Sequence, residues 1–159
     1  KPYFPVYKGW EYNPGLIYET ETWKIAAFEI EHNVENKAFA ILNKIENKRV
    51  FFATDFSHIP DVVIDSMYLT KFDLIAIECN YTNFLLHKET DEARKDASRN
   101  HCSDDYFLQI CEKVRQKDTI FVSLHGSAHY LSATMLNAKF QRKFSNYLEI
   151  AKAGTNIIF

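Results

Sequence analysis

Apolar and polar positions alternate along residues 16–30, LIYETETWKIAAFEI, on either side of a polar break at Glu21 and Thr22, which predicts a β-hairpin. Residues 37–54, KAFAILNKIENKRVFFAT, repeat the pattern. A strand near 37–43 leads through a polar turn around Ile45, Glu46, Asn47 and Lys48 into a strand near 49–54. The pattern then changes. FDLIAIEC (72–79) and TIFVSL (119–124) are unbroken apolar runs, as expected of strands covered on both faces. Between and after them lie segments of helical character. IPDVVIDSMYL (59–69) reads as a short helix, and FLLHKETDEARKDASRN (84–100) as helical by composition. SDDYFLQICEKVRQ (103–116) is the best defined: Ser103 is a natural N-cap, Asp104 and Asp105 favour the first turn, and Phe107, Ile110, Cys111 and Val114 share one face. ATMLNAKFQRKFSNYLEIAKAG (133–154) is read as a helix stopped by Gly154, and YNPG (12–15) as a turn. Antiparallel strands followed by alternating strands and helices predict a single α/β (α+β) domain over residues 1–159, with a mixed sheet and helices packed on one face.

Composition narrows the class. Hydrophobic residues make up 47% of the 159 residues, enough for a packed core rather than a disordered chain. The formal net charge of −2 provides no bulk attraction to nucleic acid, which leaves local basic patches as the only electrostatic route. Lys88, Arg94, Lys95 and Arg99, with Lys139, Arg142 and Lys143, are the candidates for backbone contacts, although a solvated helix face is the better reading of each. Cys79, Cys102 and Cys111 show no CxxC spacing and read as packing residues in a reducing, cytoplasmic compartment. No apolar run approaches the length of a membrane span, so no membrane association is expected.

The candidate chemistry sits where strands end. His32 follows AAFEIE, Asp55 follows VFFAT and His125 follows IFVSL. Glu78 closes the run LIAIE, and His101 stands just before the cap Ser103. Strand-end residues of neighbouring strands meet on one edge of a sheet, where α/β proteins place their ligands. Imidazole and carboxylate are ligands for zinc, manganese and iron. Taken singly, each residue has a plainer reading: Asp55 as a turn cap, Glu78 as a cap of the next turn, and a histidine after a strand as a hydrogen-bonded rim residue. His58, His87 and His129 are placed in that last class.

Order and local sequence add a resemblance. FEIEHNVENKAFAI, RVFFATDFSHI, FDLIAIECNYT, RNHCSDDYFLQI and IFVSLHGSAHYLSA, in this order, resemble the C-terminal half of the αββα metallo-β-lactamase sandwich. The nearest branch is that of the YycJ/WalJ-type exonucleases and their phage relatives, beside the tRNase Z and phosphodiesterase branches. The resemblance implies a hydrolase that cuts phosphodiesters, with nucleic acid as partner, using hydroxide activated by two zinc or manganese ions. It makes His32 a ligand of one ion, Asp55 the bridging carboxylate and His125 a ligand of the other. His101 becomes the acid facing the leaving oxygen, and Glu78 the group that orients it.

The chain also departs from that pattern. The His-x-His-x-Asp-His loop of the N-terminal half is absent, and three ligands spread over two sites cannot hold a dinuclear centre. Asn33 stands where the family has Asp, and Gly126 is expected to loosen the loop carrying His125. Two expectations follow. Either the chain, which starts without methionine, is part of a longer hydrolase, or it is a catalytically incompetent scaffold or interaction module. In both cases an apolar sheet face calls for cover by the missing half or by a second copy in a homodimer, with Tyr3, Phe4, Tyr7 and Trp10 covering part of it.

Overall fold

The computed structural model describes residues 17–159. The turn at 12–15 and the aromatic residues Tyr3, Phe4, Tyr7 and Trp10 lie outside the described residues. The expected hairpins form β1 (Ile17–Glu19) with β2 (Trp23–Ile30), and β3 (Asn36–Asn43) with β4 (Lys48–Ala53). Helix α1 (Asp61–Thr70) leads to β5 (Leu74–Glu78). Three helices follow: α2 (Asn83–Leu86), α3 (Glu92–Arg99) and α4 (Asp104–Val114). They precede β6 (Ile120–Leu124), α5 (Ala133–Lys143) and β7 (Leu148–Ile150).

The seven strands form one mixed sheet in the order of the chain. β1 to β4 pair antiparallel, because short polar turns can only reverse the chain. β4 to β7 pair parallel, each step requiring a crossover through helix. Parallel crossovers are right-handed, so successive steps in one direction place their helices on the same side. α1, α4 and α5 accordingly bury Val63, Ile64 and Met67, Phe107, Ile110 and Cys111, and Leu136 and Phe140 against Phe51, Ile75, Ile77 and Phe121. The opposite face holds a smaller cluster of Leu74, Ala76 and Val122, flanked by Val50, Ile120, Leu124, Ala151 and Ile157. The strand register continues this face through Phe52, Phe39 and Ile41 to Trp23, with Phe52 and Trp23 exposed. Among the described residues no helix is long and apolar enough to cross a membrane.

Two predicted elements differ. The helix expected over 84–100 is broken into α2 and α3. The Glu89 carboxylate accepts the Thr90 and Asp91 amides at 2.8 and 2.9 Å, and Asp91 then caps α3 through the Ala93 and Arg94 amides. The helix expected over 133–154 stops at Lys143. Phe144 takes an extended backbone, and the Asn146 amide donates to the Gln116 and Thr119 carbonyls at 2.8 and 3.0 Å, which lays the following residues beside β6 as β7. Gly154, expected as a helix stop, lies beyond β7 with a φ of 87°.

All three cysteines are free and buried. Burial, the largest influence on each, pushes the Cys79, Cys102 and Cys111 thiols well above their ordinary range, which suppresses the reactive thiolate. The native chain is therefore expected to leave all three thiols unmodified by a thiol-specific chromogenic disulfide, while the chain in denaturant titrates three. Rapid labelling of any native thiol would contradict this packing.

Candidate metal centre

β2, β4, β5 and β6 run in the same direction, so their carboxyl ends share one edge of the sheet. His32 lies just past β2, Asp55 just past β4, Glu78 ends β5, and His125 follows β6. His101 comes to the same edge because the segment before α4 is sewn to the one after β5. Asn80 N–H donates to the Cys102 carbonyl, and Asp104 N–H to the Tyr81 carbonyl, each at 2.8 Å. Asp55 and His125 both take left-handed backbone, with φ of 55° and 51°. This conformation is uncommon for residues with a side chain and turns the chain sharply off the strand.

One donor atom each from Asp55, Glu78, His101 and His125 lies within 4.8 Å of all the others. The centre of this group is Glu78, whose side chain has no exposed surface. Its Oε2 accepts the Phe56 N–H at 2.9 Å. Its Oε1 lies 2.7 Å from His101 Nδ1 and 3.2 Å from His125 Nδ1. His125 Nδ1 is also 3.2 Å from Asp55 Oδ1, and His101 Nδ1 is 3.9 Å from it. Asp55 and His125 are about half exposed and His101 less so, so the group opens to solvent on one side.

Donor chemistry and spacing fit a divalent ion. Ligand bonds near 2.0–2.1 Å around a tetrahedral ion place donors roughly 3.4 Å apart. The separations of 3.2 Å from His125 Nδ1 to Asp55 Oδ1 and to Glu78 Oε1 lie close to that value. The contact of 2.7 Å between His101 and Glu78 is shorter and has the length of a hydrogen bond. It sets Glu78 as a partner that fixes the His101 ring, a common supporting arrangement at metal sites.

His32 stands beside this group rather than within it. Its ring lies 5.2 Å from that of His101, and its Nδ1 is 2.9 Å from the Asn100 carbonyl. The carbonyl accepts a hydrogen bond from Nδ1–H and leaves the Nε2 lone pair free to bind a cation. Asn100 was not legible as a partner in the sequence, because 68 residues separate it from His32. A cavity of about 530 Å³ opens beside His32, lined by Glu29, Glu31, Glu35, Lys37 and Asn100 among others. His58 belongs elsewhere: its Nδ1 meets the Tyr106 hydroxyl at 2.9 Å. The loop after His125 is held firmly despite Gly126. Ser127 N–H donates to the Asn80 carbonyl at 2.8 Å, and a side chain at 126 would place its Cβ 2.3 Å from Leu131 Cδ2.

Most of the basic side chains singled out above have carboxylate partners. Arg94, Lys95 and Arg99 pair with Asp91, Glu92 and Asp96 one turn away on α3, and Lys139 pairs with Asp104 and Asp105. Lys143 reaches Glu112 at 3.7 Å, and Lys88 lies 4.1 Å over the Phe84 ring.

No protein-family model and no curated protein matches the chain in sequence. Solved structures do match it in shape. The metallo-β-lactamase fold protein YhfI from Bacillus subtilis superposes with a TM-score of 0.65 at 20% identity, over 89% of this chain and 52% of that one. This chain has a metallo-β-lactamase fold. The short form of human tRNase Z superposes with a TM-score of 0.54 at 16% identity, over 82% of this chain and 42% of the other. A candidate zinc-dependent hydrolase of the metallo-β-lactamase superfamily from Thermotoga maritima gives 0.50 at 11% identity, over 84% and 58%. The chain thus spans about half the length of these metallo-β-lactamase fold proteins.

The role of the Glu78 carboxylate has a direct test. Glu78→Leu leaves the buried Phe56 N–H without an acceptor and is expected to cost about 1–3 kcal/mol in urea unfolding. Glu78→Gln keeps an acceptor and should recover most of that loss. A glutamine variant as unstable as the leucine variant would show that the charge, not the acceptor, is what the fold requires.

Proposed function

We propose that this chain carries one side of the metal centre of a metal-dependent hydrolase acting on phosphodiesters, with nucleic acid as the substrate class. The convergence of Asp55, His101 and His125 around the buried Glu78 on one sheet edge carries this reading. The shape similarity to a tRNase Z favours phosphodiesters over other esters. In this reading Asp55 and His125 hold one zinc or manganese ion. His32, oriented by Asn100, is the donor left for a second ion in the complete fold. The apolar sheet face opposite the helices receives the rest of the sandwich.

A divalent ion here supplies Lewis-acid charge to a phosphoryl group and acidifies water in its contact. The chain's own groups do the remainder. Glu78 accepts the His101 Nδ1–H and so directs Nε2 toward the reacting group. From Nε2 a protonated His101 hands its proton to the leaving oxygen. The cavity beside His32 is lined by Glu29, Glu31 and Glu35 with Lys37, a net negative lining that would disfavour a phosphodiester there unless a cation were bound nearby.

A second reading, a metal-free scaffold of the same fold, is favoured by one observation: the buried Glu78 carboxylate finds its partners within the protein, in the Phe56 N–H and both imidazoles. Elemental analysis after equilibrium dialysis against zinc or manganese separates the two. The chain is expected to retain metal, while Asp55→Ala and His125→Ala lose it or bind at least about tenfold more weakly. Hydrolysis of an activated aryl phosphodiester should follow the metal. Metal content unchanged by both substitutions, or absent from all three proteins, would favour the scaffold.

A further inference from the structure

Two of the candidate ligands, Asp55 and His125, occupy left-handed backbone, a conformation uncommon outside glycine that Asp and His enter more readily than most residues. Strain of this kind persists only where the surroundings over-determine it. The surroundings here contain two asparagines that the reading above leaves without a role. The Asn80 side-chain amide donates to the His125 carbonyl at 2.9 Å, and the Asn80 carbonyl accepts the Ser127 N–H at 2.8 Å. Asn80 thus grips the turn on both sides of Gly126. Its own N–H runs to the Cys102 carbonyl, beside His101, at 2.8 Å. The residue is buried at 8% exposure, so these bonds do not compete freely with water. Asn36 makes the matching contact at the other ligand. Its side-chain amide donates to the Thr54 and Asp55 carbonyls at 2.6 and 2.5 Å, and its oxygen accepts the Lys37 N–H at 2.8 Å.

We propose that Asn80 and Asn36 are positioning residues that latch the left-handed turns at His125 and Asp55, pre-setting two donors of the centre before any ion arrives. Each acts on the carbonyl of the left-handed residue itself. The pair joins loops distant in sequence, and Asn80, like Glu78, couples the His101 segment to the His125 segment. Donors held in advance need no ordering on binding, so loss of a latch appears as weakened metal binding rather than as global unfolding. This second half of the proposal rests on the metal reading above. The first half does not.

Nuclear magnetic resonance of the isotopically labelled, metal-free chain tests the latch directly. Positive φ brings the amide and α protons of one residue unusually close, giving a strong intraresidue cross-relaxation peak. The wild-type chain is expected to show strong peaks at Asp55 and His125. Asn80→Ala and Asn80→Ser should lose the peak at His125 and keep it at Asp55, and Asn36→Ala should do the converse, with thermal midpoints close to wild type. Undiminished His125 peaks in both Asn80 variants would overturn the latch. Zinc titration of the same proteins then reads the consequence, an expected weakening of about tenfold or more in each variant. Variants that lose the peak yet bind zinc like wild type would overturn the positioning role. A wild-type chain that binds no zinc would overturn the metal reading, and with it the positioning role, while the peaks still decide the latch.

Discussion

A carboxylate with no exposed surface ends β5, an inner strand of the parallel half of this sheet. Burying a charge is costly unless hydrogen bonds and opposite partial charges surround it. Glu78 is surrounded by the Phe56 N–H and by two imidazoles. Each of those groups belongs to a different loop: Phe56 to the one after β4, His101 to the one before α4, and His125 to the one after β6. Satisfying one buried charge therefore draws three chain segments to a single point. The loops cannot relax apart independently without leaving the carboxylate unpaired, so the geometry of the candidate centre and the stability of this sheet edge are one problem.

The sheet supplies the frame for that convergence. Consecutive parallel strands β4, β5 and β6 put three carboxyl ends side by side at strand spacing. The left-handed turns at Asp55 and His125 then deflect the chain at the two outer ends, and the asparagine amides satisfy the carbonyls those turns expose. The large aromatic core beneath, built on Phe51, Phe107, Phe121 and Phe140, keeps the strands and helices from shifting under the loops.

The two faces of the sheet are unlike. One is covered by α1, α4 and α5, and the other carries a small apolar cluster bordered by half-exposed side chains. The basic side chains of α3 give little outward field, because each is neutralised by a carboxylate one turn away. Attraction for a polyanion would thus depend on the metal centre far more than on the helix surfaces. Among the described residues no ion pair joins Arg142 to a carboxylate, in contrast to its paired neighbours Lys139 and Lys143.

Both hairpins, the strands β5 and β6 and the Ser103-capped helix α4 were legible from the order of residues, because alternation, apolar runs and cap residues act over a few positions. The strand-end residues His32, Asp55, Glu78, His101 and His125 were legible as candidates for the same reason, and their order carried the resemblance to the metallo-β-lactamase fold. The chain's local preferences misled where a distant group intervened. Residues 144–150 became extended because Asn146 reaches the carbonyls before β6, and the helix over 84–100 broke because Glu89 and Asp91 captured amides. Only the tertiary structure decided how the donors are arranged: Asp55, Glu78, His101 and His125 within reach of one point, His32 turned by Asn100 just beside them, and the two asparagines behind the strained turns. Those contacts join residues 68 positions apart for His32 and Asn100, and farther still for Asp55 and His125. Their energies come from burial and geometry that exist only once the sheet has assembled, and no local pattern of residues encodes them.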